Sequence, residues 1–169
     1  LTSTVPTPGQ AVYRVNVTAD PAGAVDIDKF SFNVATTSGA TLSTFGLYDV
    51  TGGTATQLGT SQKANSSNVV SFSLGSSYQQ IGAGSTKTYE LRPNGTVSWT
   101  TGGSLSVSLA QDTTYAANND VSSLSSSNII WSDRSSTTHA SSGTSATDWS
   151  NGYLLKDFVS DITSFSYHS

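Results

Sequence analysis

The sequence predicts an all-β fold, an antiparallel β-sandwich of immunoglobulin-like or jelly-roll type, and three observations predict it. Ser and Thr fill a third of the 169 positions, and they alternate with large apolar residues rather than forming polar tracts. In Val69-Val70-Ser71-Phe72-Ser73-Leu74 and Ser104-Leu105-Ser106-Val107-Ser108-Leu109 the apolar groups recur at every second residue, the repeat of a strand buried on one face. Short runs of this kind are separated by Gly, Asn and Pro turns along residues 11–110, the spacing of two packed sheets.

The elements follow in order. Residues 1–10 carry Pro6 and Pro8; proline has no amide to donate to a ladder, so this stretch reads as an extended arm. A first strand is expected at 11–18, then a turn at Asp20-Pro21-Ala22-Gly23. From Val25 and Ile27 the apolar phase slips by one residue to Phe30, Phe32 and Val34, a slip that a β-bulge near Asp28 and Lys29 would absorb. Further strands are expected at 44–50, 56–59, 69–74, 86–92, 96–99 and 105–110, with a turn at 81–85.

After Gln111 the alternation lapses. Residues 112–151 are mostly Ser, Thr, Asn and Asp, broken by Ile129-Ile130-Trp131 and Asp148-Trp149. Ordering such a stretch costs about 1 to 2 kcal/mol of backbone entropy per residue, with little apolar burial to offset it. Either it wraps over the sandwich, anchored by Trp131 and Trp149, or neighbouring subunits hold it. The tail from 153 to 167 turns apolar again, with Tyr153, Leu154, Leu155, Phe158, Ile162 and Phe165. The chain therefore divides, within one domain, into an arm (1–10), a sandwich core (11–110) and a C-terminal extension (111–169) that completes or bridges the sandwich.

Composition excludes several function classes. Charged residues are 11% of the chain, the net charge is −4, and the seven Lys and Arg are scattered, so no basic patch exists to track phosphates and nucleic acid is not expected. No run approaches the ~20 apolar residues of a membrane span. The chain has no Cys and no Met, which removes disulfides and thiolate metal sites; Leu1 reads as a processed terminus or an artificial boundary, consistent with a removed signal peptide. The composition points to a secreted, extracellular surface.

Little in the sequence supports catalysis. Glu90, with Lys87 and Arg92 nearby, reads as an outward-facing ion-pair residue, and no second carboxylate opposes it as a glycosidase requires. His139 and His168 sit in a Ser/Thr loop and at the C-terminus, and no Gly-x-Ser-x-Gly elbow is present. An enzyme is not expected. Asp20, Asp26 and Asp28 are candidates for calcium, as is the Asn118-Asn119-Asp120 turn, because loop oxygens suit that ion; the spacing fits no EF-hand. No other cofactor is indicated. Trp99, Trp131 and Trp149 with Tyr115 and Tyr153 either form a sugar-stacking platform or serve as anchors, and anchoring is the favoured role of Trp131 and Trp149. Lys29 and Lys87 raise the possibility of a Lys-Asn isopeptide crosslink, without an identifiable carboxylate beside both partners.

The runs Tyr13-Arg14-Val15-Asn16-Val17-Thr18-Ala19-Asp20, Asp28-Lys29-Phe30-Ser31-Phe32, Leu47-Tyr48-Asp49-Val50 and Gly82-Ala83-Gly84-Ser85-Thr86-Lys87-Thr88-Tyr89-Glu90-Leu91 are followed by Ile130-Trp131-Ser132-Asp133-Arg134-Ser135 and Asp148-Trp149-Ser150-Asn151-Gly152-Tyr153-Leu154. This succession resembles the Ser/Thr-rich β-sandwich modules of secreted cell-surface proteins of candidate-phylum (Patescibacteria-type) bacteria. The resemblance implies a surface location and neither a reaction nor a ligand. The function expected is that of a structural extracellular protein, a self-assembling subunit of a pilus-like filament or surface layer, joined through its terminal segments. The alternative is a glycan-binding module or adhesin domain that contacts cell-surface glycans.

Overall fold

A computed structural model describes residues 5–141, 147–156 and 165–168. The protein is an all-β sandwich of antiparallel sheets. The first sheet has the order β1 (Tyr13–Thr18), β8 (Thr86–Pro93), β4 (Phe45–Asp49), β5 (Thr56–Gln62). The second is built around one long strand, β2 (Val25–Thr36). One edge of β2 carries β7 (Gln79–Ile81) and β6 (Val69–Ser73); the other carries β12 (Ile130–Ser132) and β10 (Ser104–Leu109). Beyond β12 lie β13 (Trp149–Asn151) and β11 (Ala117–Asn119), and beyond β10 lies β14 (Phe165–His168). A separate ribbon pairs β3 (Ala40–Leu42) with β9 (Val97–Trp99).

Period-two alternation decides which groups meet between the sheets. Tyr13, Phe45, Leu47, Tyr89 and Leu91 from the first sheet face Ile27, Phe30, Phe32, Val70, Phe72, Leu105 and Val107 from the second. The Phe30 and Tyr89 rings meet across the gap with centroids 5.0 Å apart. Tyr167 of β14 enters the same core and donates its hydroxyl to Val12 O at 3.0 Å.

The phase slip in β2 is a bulge. Ile130 pairs with Lys29 but Trp131 with Ile27, which leaves Asp28 without a partner in that ladder. Ile27 and Phe30 both reach the core as a result, and Asp28 and Lys29 stand consecutively on the opposite face. A second bulge in β5, where Phe45 pairs with Gln62 and Leu47 with Leu58, contains Gly59 at φ +67°, a left-handed angle that glycine adopts without a Cβ penalty.

The expected turn at 81–85 is shorter. Ile81 ends β7 and is buried, and the turn closes from Ser85 N–H to Gly82 O at 2.9 Å. The arm lies against β8: Gly9 N–H donates to Pro93 O and Val12 N–H to Leu91 O.

Candidate functional site: the covered face of the long strand

The outer face of β2 is not open to solvent. Asp26, Asp28, Lys29 and Ser31 are all buried there. Segments of residues 111–141 and 147–155, the cover, extend the sheet beyond β2 and bring Arg134 and His139 onto Asp26 and Ser125 onto Lys29. Gly75 reaches Asp28, and Ser71 meets Ser31. The cover has its own apolar cluster, Leu124, Ile130 and Trp149, with Tyr78, Ala116, Val121 and Ala140 packed around it. The polar stretch is thus ordered within the chain by a few large side chains. Trp149 is fully buried and donates its indole N–H to Ala140 O at 2.8 Å. Trp131 is half-buried against the main core and donates to Asn151 O at 3.0 Å.

Two polar centres fix the cover to the sandwich. In the first, His139 is held between two buried carboxylates: Nδ1 is 2.8 Å from Asp148 Oδ2, and Nε2 is 2.6 Å from Asp26 Oδ2, off hydrogen-bond geometry. Its ring stacks on Trp149 with centroids 5.0 Å apart and meets the Tyr78 ring edge-on at 5.5 Å. Arg134 Nη1 reaches the same Asp26 oxygen at 2.5 Å. Arg134 has φ +59°, a left-handed angle that costs a non-glycine residue roughly 1 kcal/mol; the Asp26 contact and its N–H to Ser132 Oγ at 2.9 Å hold it there. Burial raises the Asp148 carboxyl, but hydrogen bonds from His139, Ser132 and the Ser136 N–H outweigh it and leave the group below the usual carboxylate range.

Ser, His and two Asp side chains meet here, but not in the order of a Ser-His-Asp triad. Ser132 Oγ donates to Asp148 and not to His139, so the imidazole is not placed to take the hydroxyl proton as it is in such a triad. The cluster joins β2 to the cover.

The second centre is Asp112. Its carboxylate accepts N–H bonds from Asn128 at 2.7 Å, Ile129 at 3.2 Å and Gly152 at 2.9 Å, tying the start of the cover to its two later segments. A Cβ at Gly152 would lie 2.9 Å from the Ile129 Cβ, so that approach requires glycine.

Asp28 and Lys29 are buried side by side on this face without pairing to each other. Lys29 Nζ donates to Ser125 O at 2.8 Å; burial lowers its pKa, and Asp112 and Asp28 pull it back up. Neither Asp28 oxygen has a partner in hydrogen-bond geometry. Burial pushes this carboxyl up to about 6, against the opposing pull of the Gly75 amide and Lys29.

The expected calcium trio is not gathered. Asp20 caps an exposed turn through Ala22 N–H at 2.8 Å, while Asp26 and Asp28 are buried, and among the described residues no group of three such side chains is set to hold a metal ion. Asp120 accepts from Ser122 and Ser123 instead, which lowers it to about 2. Glu90 faces outward on β8 as expected but is buried rather than open, covered by Arg14 and Arg92, whose Nε atoms each donate at 2.9 Å. Burial raises its carboxyl and the two guanidiniums more than offset this. Lys87 turns elsewhere, to Asp49 at 3.2 Å and Gln79 at 3.0 Å. Neither lysine contact is with the asparagine that an isopeptide crosslink requires.

The described parts of the tail, 153–156 and 165–168, serve two different elements. Gly152–Leu154 is a 3-10 turn of the cover and Leu155 packs on the main core, whereas β14 pairs antiparallel with β10, Phe165 opposite Val107 and Tyr167 opposite Leu105. Phe158 and Ile162 lie outside the described residues. A sugar platform containing all three Trp residues is also ruled out, since Trp149 is enclosed. Comparison with protein-family models, curated proteins and solved structures finds no match. The His139 cluster was not visible in the sequence, where positions 26, 134, 139 and 148 share no spacing rule.

Proposed function

We propose that the chain is a structural module of an extracellular surface assembly, a filament or layer, in which successive copies are joined through the C-terminal strand. The observation that carries this reading is β14. It is four residues long, lies at the edge of the second sheet, and completes the core with Tyr167, whose hydroxyl binds a carbonyl 155 residues away in sequence. A short terminal strand of this kind can be donated to the same β10 edge of a neighbour, because the ladder and the apolar slot are the same in cis and in trans. The charges on the first sheet are paired within the chain, Glu90 with Arg14 and Arg92 and Lys87 with Asp49, which supports it too, since copies can approach with little net charge repulsion. The test is size-exclusion chromatography with negative-stain microscopy. The full chain should form concentration-dependent multimers or filaments, and a chain ending at residue 164 should not. A full chain that stays monomeric at every concentration overturns the reading.

A further inference from the structure

Among the described residues only two large apolar side chains are exposed, Tyr115 at 54% and Tyr153 at 38%. One buried side chain fixes the backbone beneath both. Asn151, 3% exposed, donates from Nδ2 to Thr114 O at 2.7 Å and accepts at Oδ1 from Ala116 N–H at 3.1 Å, bracketing Tyr115. The same Oδ1 accepts from Tyr153 N–H at 3.4 Å, and the Asn151 carbonyl takes the indole N–H of half-buried Trp131. Three aromatic residues from separate segments thus converge on one rigid hub.

We infer that Tyr115 and Tyr153, set by Asn151 beside Trp131, form a stacking site for the apolar face of a neutral pyranose in an oligosaccharide. Aromatic rings on a fixed backbone lose little rotamer freedom on binding, and a tyrosine offers a flat apolar face with a polar tip. The neighbours of these residues in the chain, Thr113, Thr114 and Ser150, carry hydroxyl groups and no charge. The nearby Asp112 carboxylate is occupied by three backbone N–H groups, which favours an uncharged ligand. A protein partner would need a contiguous apolar patch of several hundred Å², and two exposed tyrosines do not by themselves supply one. This inference does not depend on assembly through β14.

The test is titration of the purified full chain with cellotetraose, chitotetraose, mannotetraose and, as an acidic control, an oligomer of galacturonic acid, followed by amide NMR shifts. Saturable binding of at least one neutral oligomer is expected, with shifts clustered at 114–116 and 151–153. Tyr115→Ala and Tyr153→Ala should each weaken it by about tenfold, the loss of roughly one stacking contact. The corresponding Phe variants should retain binding, and all four variants should keep the wild-type amide spectrum elsewhere. Absence of saturable binding to the neutral oligomers, binding of the acidic oligomer alone, or affinity indifferent to both Ala variants would overturn the assignment.

Discussion

Replacing Trp149 with alanine is expected to cost about 4 kcal/mol, the middle of the range for deleting a buried indole. The side chain has no exposed surface and is the largest member of the cover's apolar cluster. Its removal also leaves Ala140 O without its donor and takes away the face on which His139 stacks. The effect should concentrate in the cover, because the main core between the sheets contains no part of the indole. Hydrogen exchange should then show lost protection at β11, β12 and β13, with β4 and β8 retaining theirs. Uniform loss across both sheets would mean that cover and sandwich unfold as one unit.

The second large effect is one of gain. Asp28→Asn should stabilise the protein by about 3 kcal/mol at pH 7, the free energy equivalent of raising a carboxyl from 3.8 to about 6. The folded state holds the proton more tightly than the unfolded chain does. The contribution of Asp28 to wild-type stability therefore falls as pH rises from about 4 to about 6 and is flat above that. The Asn variant lacks this titration, so its advantage should be full above pH 6, shrink between 6 and 4, and vanish below 4. Urea denaturation of both proteins across that range checks it; parallel stability curves would contradict the burial of an unpartnered acid at the bulge.

That bulge was legible in the sequence because a strand with one buried face cannot change phase without an extra residue, and Ile27 and Phe30 are out of phase. The strands with clean alternation, β6 and β10, were legible for the same reason. Three-residue strands such as β3, β7 and β12 were not, since three positions carry too little periodicity to separate a strand from a loop. Asp26 shows where the reading of the site failed. Beside Asp20 and Asp28 it looked like a loop oxygen for calcium, yet alternation places it on β2 beneath a cover whose path no local pattern announces. Its partners Arg134 and His139 arrive from more than 100 residues away. Glu90 repeats the lesson: Arg92 was visible beside it, but Arg14 becomes a partner only once β1 pairs with β8. Trp131 and Trp149 stood out as anchors because large apolar groups in a polar stretch have few other places to go.

The central claim is that β14 joins one copy to the next. Ser106 of β10 and Ser166 of β14 are direct cross-strand partners, at a separation that suits a disulfide, and the chain contains no cysteine to confuse the result. A chain carrying Ser106→Cys and Ser166→Cys should be assembled under reducing conditions, oxidised, and run on a denaturing gel without reductant. The account predicts a ladder of covalently linked copies. A single monomer band from oxidised, assembled material would show that β14 stays on its own chain and that the joint lies elsewhere.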